Sequence, residues 1–390
     1  MRRIVVLGGA GAMGRITLRD LIETAKDVEP VCADRIHDLA WKLDCERVSV
    51  DVLDPRSLAR VLRGASVVIA SLPYRFNLHA MRGALAARTH YLDLGGLFHM
   101  TKRQLALASA FRAARRTAIL GVGSSPGITN LLAVHAAHGL ERVDAVHCQV
   151  GSVDRTRFAS APPLGFGYSV DTLLDEFSMP SAVFRGGKLR LVPPLDPAER
   201  ALARFPAPVG KLVLETTLHS EVATLPRHFA RRGVKEVTFR QGFDAAFMEK
   251  LAFLVRLGLA DTEPLDGKTS PRQLFLSLLG RLPAAKLRGK PDRYEILRAE
   301  VHGRKGGRKV VVTADCHAPQ KAGWGIGPDI DTGAPPSIVA QLLLAGDPPP
   351  GVFAPEDAVP LVPFFRALEA RGMRISRRES HRTHRTHRRG

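Results

Sequence analysis

Along the first 125 residues, short β-branched apolar runs alternate with amphipathic stretches. The runs are RIVVLG (3–8), EPVCAD (29–34), RVSVDV (47–52), SVVIAS (66–71), THYLDL (89–94) and TAILGV (117–122). Helical patterns lie between them, at Thr17 to Lys26, the DPRSLARVL stretch from Asp54, Asn77 to Arg88, and Lys102 to Arg115. Asp54 followed by Pro55 reads as a helix start, since a carboxylate can cap the first amides and proline needs no partner there. Strands that are continuously apolar, each followed by a helix, predict a parallel sheet covered on both faces, a doubly wound α/β domain.

The pattern changes after SSPGITN (124–130), where a Pro-Gly turn leads into the helical LLAVHAAHGL. Beyond it, strands are predicted in antiparallel style at AVHCQVGSV (145–153), SAVFRGGKLRLV (181–192), KLVLETTLHS (211–220) and KEVTFRQ (235–241). YEILRAEVHG and RKVVVTADCH follow as a hairpin turning at Lys305 to Gly307. Helices are predicted through AAFMEKLAFLVRLG and PRQLFLSLLG, which makes this region an α+β domain. PPSIVAQLLLAGD and LVPFFRALEARG have no sheet of their own to cover and should pack back on the first domain. The resulting division is 1–125 with 335–376, then 126–334 between them, then a tail, 377–390.

Composition refines this reading. With 390 residues, 45% of them hydrophobic, the chain can bury two cores. Four cysteines without a C-x-x-C pair suit reduced thiols better than disulfides or zinc. No apolar run of membrane-spanning length occurs and no cleavable leader is visible, so a soluble cytoplasmic protein without a membrane role is expected.

The net charge is +19, of which the tail RRESHRTHRTHRRG supplies +5 through six Arg and one Glu. The remainder is diluted over the chain, and no aromatic stripe or zinc-finger spacing accompanies it, which argues against a nucleic-acid partner. The tail lacks apolar residues and is expected to be disordered. His381, His384 and His387 could gather a metal only if it became helical, so no metal is assigned.

Candidate chemistry begins at IVVLGGAGAMGR (4–15), which reads as Gly9-x-Gly11-x-x-Gly14 or as Gly8-x-x-Gly11-x-x-Gly14. Either register permits a tight strand-to-helix turn that brings backbone amides to a pyrophosphate. Asp34 ends the second strand twenty residues after Gly14, placed for a ribose diol. The second register would suit short-chain dehydrogenases, which need Tyr-x-x-x-Lys. Leu78, Gly95, Thr172 and Arg298 follow the four tyrosines at that spacing, so this class is set aside. Asp34 favours NAD by repelling a 2′-phosphate, whereas the adjacent Arg35 could accept the phosphate of NADP. Ligands of open α/β sheets lie at the carboxyl ends of the strands, which here are SLPYRFN, DLGG and GVGSSPGITN. Asp93, the carboxylate among them, is read either as orienting an amine and accepting a proton or as a turn cap.

VVLGGAGAMG, SLPYRFNLHAMRGALAARTHYLDLGG and GSSPGITNLLA, with TTLHSEVATLP (216–226) and GVFAPEDAV (351–359), together resemble the saccharopine dehydrogenase superfamily, especially its lysine 6-dehydrogenase and saccharopine reductase branch. The resemblance implies a Rossmann domain, an inserted α+β substrate and dimerisation domain, C-terminal helices returning to the first, and a homodimer. It also implies hydride transfer between NAD or NADP and a carbon bearing nitrogen in a small amino-acid substrate. By motif match, Gly9, Gly11, Ala12, Met13 and Gly14 would meet the pyrophosphate, and Asp34 the ribose. Leu72, Pro73 and Asn77 would flank the cofactor, and Gly123 and Pro126 would close its far side. The second wall would offer His219 to shuttle a proton, Glu221 to bind an ammonium, and Thr224 and Arg227 as polar contacts. HSEV departs from the Ser- and Gly-rich stretch of lysine 6-dehydrogenases, which leaves saccharopine, another amino acid and a polyamine precursor open as substrates. A nucleotide-sensing protein without turnover is the competing reading.

Overall fold

The computed structural model describes residues 1–35, 43–160, 169–265, 267–283, 285–324 and 327–381. The first sheet takes β1 (Arg2–Leu7), β2 (Val28–Asp34), β3 (Glu46–Ser49), β4 (Val67–Ala70), β5 (His90–Asp93) and β6 (Thr117–Ile119). Helices α1 (Ala12–Thr24), α2 (Pro55–Leu62), α3 (Asn77–Ala86), α4 (Leu97–Leu105) and α5 (Ala108–Ala113) connect them. The six predicted strands are all present and pair in parallel. Asp54 caps α2, accepting from the Arg56 amide at 2.9 Å. The single helix expected from Lys102 to Arg115 is instead two, α4 and α5, parted at Ala106 and Leu107.

The second sheet is built from β7 (Arg142–Asp154), β9 (Ser181–Arg185), β10 (Lys188–Val192), β11 (Ala201–Arg204), β12 (Lys211–Thr216), β13 (Glu236–Gly242), β15 (Arg293–Lys305) and β16 (Arg308–Ala318). A two-stranded pair, β8 (Phe158–Ser160) with β14 (Lys286–Leu287), stands apart. This sheet is mixed, because β13 runs parallel to β7 while the other pairs are antiparallel. Helix α6 (Ile128–Ala137) packs on β7, β15 and β16, and α8 (Glu221–His228) packs on β13. Helices α7 (Val170–Ser178), α9 (Ala245–Arg256) and α10 (Pro271–Leu279) share a small separate core around Leu174, Leu251 and Phe275.

The C-terminal part departs from the sequence expectation in two places. Helix α11 (Ile330–Ala345) returns to α1 as expected, but β17 (Gly351–Phe353) then joins β6 as a seventh parallel strand, giving the order β17-β6-β5-β4-β1-β2-β3. Three residues between proline-rich turns carry too little pattern to read as a strand. After α12 (Pro355–Ala358) and α13 (Leu361–Glu369), β18 (Arg374–His381) pairs with β16 along the edge of the second sheet. The tail expected to be disordered from 377 is therefore ordered through 381, and 382–390 lie outside the described residues. The ordering comes from partners that composition cannot reveal. Arg377 donates to the carbonyls of His135 and His138 at the end of α6, and Arg378 pairs with Asp315 at 3.2 Å.

One buried cluster runs from Ile4 and Val6 through Leu131 and Leu132 of α6 into Val146, Phe239 and Leu297. The two sheets thus share a core, which fixes the walls of the cleft between them. All four cysteines are free, three of them buried. Among the described residues no helix is long and apolar enough to cross a membrane.

Candidate active site

A cleft of about 1170 Å³ opens between the carboxyl ends of the first sheet and one face of the second. The strand order reverses between β1 and β4, where doubly wound sheets form a ligand crevice. Gly11, Ala12 and Met13 line it at the start of α1, where the first amides of a helix have no intrahelical acceptor. The other glycines of the loop serve packing. Gly8 sits at φ +74° with Ser71 O only 2.2 Å from where a Cβ would lie, and a Cβ at Gly14 would lie 2.2 Å from Gly8 O. A Cβ on Gly9 would press on Cys32 Sγ at 2.9 Å. These contacts let helix and strand approach closely enough to aim the loop at a phosphate.

Asp34 stands beside this loop. Its Oδ2 accepts from the Ala10 amide at 3.1 Å and its Oδ1 from the Arg35 amide at 2.7 Å, while Arg35 is exposed. Leu72, Pro73 and Pro126 line the cleft as expected, but Gly123 does not. Gly123 instead donates to Pro126 O at 2.8 Å, closing a tight loop that presents Ser124 to Pro126.

Two residues assigned to chemistry or cofactor by sequence turn out to be framework. Asp93 is fully buried and absent from the cleft lining. Its Oδ1 accepts the Gly95 and Gly121 amides at 3.0 and 2.7 Å, and its Oδ2 accepts from Tyr91, Gln104 and Asn77 at 3.0, 2.5 and 3.2 Å. Burial pushes its carboxyl up, against those hydrogen bonds, which lower it. The turn-cap reading of Asp93 therefore replaces the proton-accepting one. Asn77 is likewise absent from the cleft lining, since it is buried and donates to Asp93 and to Gly95 O. Together they hold the LDLGG turn that forms the cleft floor.

On the opposite wall, His219 lines the cleft with its ring stacked on Phe239 at 3.7 Å. Its Nδ1 lies 2.6 Å from Glu221 Oε2, and its Nε2 lies 3.7 Å from Glu176 Oε1. Burial alone would lower the imidazole's pKa, but the Glu221 charge and hydrogen bond, with Glu176 behind them, raise it overall. Glu221 is fully buried at the first turn of α8, where the helix N-terminus favours a carboxylate. Its other oxygen accepts from Thr129 Oγ1 at 2.7 Å, so it orients His219 and cannot receive a substrate ammonium. Thr224 is turned inward to Asn130 at 3.4 Å, and Arg227 is exposed outside the cleft, so neither is a substrate contact. Positions 221 and 224, three apart, share the buried face of α8, whereas 219 faces the cleft from the loop before it.

Sequence reasoning passed over Glu176, Gln241, Glu295 and Asp331, all of which line the cleft. Gln241 holds Glu176 through a 2.8 Å hydrogen bond. The available signal was an Asp175–Glu176 pair set among the apolar Leu173, Leu174 and Phe177 of α7, and a strand-borne Glu295 next to the buried Ile296.

Comparison with known proteins extends this geometry. Residues 4–119 match the family model for the saccharopine dehydrogenase NADP binding domain, and residues 123–373 match that for the saccharopine dehydrogenase C-terminal domain. The chain belongs to the saccharopine dehydrogenase family. A relative named carboxynorspermidine synthase, from Vibrio cholerae serotype O1, is 24% identical over 393 residues, covering 93% of this chain and 90% of that protein. The apo saccharopine dehydrogenase (L-Glu forming) of Saccharomyces cerevisiae superposes with a TM-score of 0.72 at 18% identity. That superposition covers 97% of this chain and all of the yeast chain, and it supports the shared fold. The family match makes the first domain an NAD(P)-binding Rossmann domain.

Proposed function

We propose that this member of the saccharopine dehydrogenase family is an NAD(P)-dependent oxidoreductase that makes or breaks a carbon–nitrogen bond of an amino acid or a carboxylated amine. The observation that carries the reading is His219, held by Glu221 and Glu176 on the cleft wall opposite the glycine loop. The residues fit a dinucleotide: amides of Ala12 and Met13 for the pyrophosphate, with the Gly11 amide closing the loop on Gly8 O at 3.0 Å, Asp34 for the ribose, and Leu72, Pro73 and Pro126 as an apolar cradle. When bound there, such a cofactor supplies or accepts the hydride.

The chain's own part is to control protons and orientation. Carbon–nitrogen oxidation requires a neutral amine and the reverse requires a protonated imine, so a group that changes charge near neutrality must reach the nitrogen. His219 offers Nε2 to the cleft, and Glu221, bonded to Nδ1, fixes the tautomer and supports the imidazolium. The shared core of the two domains keeps both walls in register. Resemblance to a carboxynorspermidine synthase adds carboxylated polyamines to the amino acids as candidate products.

The test follows reduced-nicotinamide absorbance with NAD or NADP across amino acids, and in reverse across aldehyde and amine pairs. Turnover that collapses in His219→Asn while cofactor affinity persists supports the assignment. Absence of turnover in both directions across the panel, with cofactor bound, would overturn it in favour of nucleotide sensing.

A further inference from the structure

Helix α7 carries acids on two sides. Asp171 and Asp175, four apart, share one side, and Glu176 lies about 100° further round. Glu176 lines the cleft, whereas Asp171 and Asp175 do not. Asp175 is buried, and its two oxygens are claimed by different parts of the molecule. Its Oδ2 accepts from Tyr74 Oη at 2.8 Å, in the turn after β4 of the first domain, and its Oδ1 accepts from Arg272 at 2.5 Å, in the first turn of α10. Arg272 is itself buried and anchored, since its Nε donates to Ala260 O at 2.8 Å and its Nη1 also reaches Asp171 at 3.2 Å. Arg75 adds an ion pair to Asp171 from the first domain. Burial, with the Asp175 hydrogen bond, pushes the Tyr74 phenol up, so Tyr74 stays a neutral donor. A buried ion pair adds little net stability over well-packed apolar residues, so what this one contributes is geometry. The residue whose place it fixes is the next one in α7.

We infer that Asp175, gripped between Tyr74 and Arg272, is a positioning residue that sets Glu176 against His219, so that the first domain reaches the proton-carrying histidine through α7. The inference rests on the proposed role of His219 and adds what holds its second acid in place. Glu176 Oε1 lies 3.7 Å from His219 Nε2, and the Glu176 carbonyl accepts the Leu218 amide at 3.3 Å, so α7 steadies both the acid and the loop that bears the histidine. Side chains reach about 5–6 Å from a helix axis, so a rotation of α7 by about 20° would carry the Glu176 carboxylate about 2 Å. Starting from 3.7 Å, that displacement weakens its attraction for the imidazolium by about a third. Charged groups face His219 from two elements, Glu221 from α8 and Glu176 from α7, while β13 brings the uncharged ring of Phe239. Both acids raise the imidazole's pKa, so loosening α7 lowers it.

The test reads His219 directly, without turnover. The full chain, labelled with carbon-13 at histidine Cε1, is titrated by NMR, with the His219 signal assigned by its loss in His219→Asn. E176Q removes the charge outright and should lower the His219 value by about one pH unit or more. Y74F and R272K leave every charge in place but loosen the grip on Asp175. Each should lower the value by at least about half a pH unit, an approximately threefold change in the ionisation constant. Y74F combined with E176Q should shift it no further than E176Q alone, because no carboxylate is then left to place. If R272K fails to fold, Y74F decides. An unmoved His219 in folded Y74F or in E176Q overturns the inference, as does a Y74F shift that persists in full on top of E176Q. Failure of the proposed reaction looks different. The expected shifts with no turnover of any amine would keep the positioning role and remove the oxidoreductase, whereas turnover with an unmoved histidine would do the reverse.

Discussion

Replacing Asp93 separates a framework role from a chemical one. In Asp93→Ala the Gly95 and Gly121 amides lose their acceptor in a fully buried place, while Tyr91, Gln104 and Asn77 can partly re-pair with one another. A buried donor left unsatisfied costs about 1–3 kcal/mol, so two of them and a small void should destabilise by about 3–5 kcal/mol. Asp93→Asn keeps an oxygen for both amides, and its new N–H₂ can serve Gln104 Oε1, which has no partner among the described residues. Its cost should be about 1 kcal/mol or less, since it also relieves the burial that pushes the Asp93 carboxyl up. Urea unfolding followed by circular dichroism gives the two midpoints, and nicotinamide turnover is measured at a temperature where both variants remain folded. A large gap in stability with turnover retained by Asp93→Asn is the expected result. A stable Asp93→Asn with turnover down a thousandfold would refute the framework role and restore Asp93 as a proton acceptor.

Glu356 gives a pH prediction. Burial pushes its carboxyl up to about 7 against the Thr224 hydrogen bond that lowers it, and Asn130 donates to one oxygen at 2.8 Å. Its folded value exceeds the unfolded one of 4.5, so the folded state keeps a proton that the unfolded state releases, and stability falls as pH rises from about 4.5 to about 7. The loss should reach about 3 kcal/mol at full ionisation, and Glu356→Gln should flatten it in urea titrations at pH values across that window. For His219, the raised folded value means that its stabilisation is complete below the unfolded value and is lost as pH rises through the folded one. Glu221→Gln should therefore move the His219 limb of the kcat/KM profile to lower pH, and an unmoved limb would show that Glu221 does not set it. Asp34→Ala should weaken NAD more than NADP in fluorescence titrations, whereas equal loss would reject Asp34 as the ribose ligand.

Local pattern was a sufficient guide wherever an element is stabilised by its own neighbourhood. Apolar runs and glycine spacing located β1 to β6, the nucleotide loop and Asp34, because a parallel strand is apolar throughout and the turn after β1 cannot accommodate a Cβ at Gly8. The same logic misplaced Asn77 and Glu221 and left Asp93 open between chemistry and a turn cap. Each is a polar residue at the right end of the right element, and only the neighbours decide whether it faces the cleft or the interior.

β17 and β18 were unreadable for a related reason, since three residues in one and a run of arginines in the other gain order from strands far along the chain. The sequence by itself determined a doubly wound nucleotide domain and a second sheet, and offered His219 as a candidate proton carrier. Tertiary structure alone decided that Glu176 and Glu221 flank that histidine and that Glu295 meets Asp331. Glu176 meets His219 from 43 positions away and Glu295 meets Asp331 from 36, and no periodicity records a contact made by folding one sheet over another.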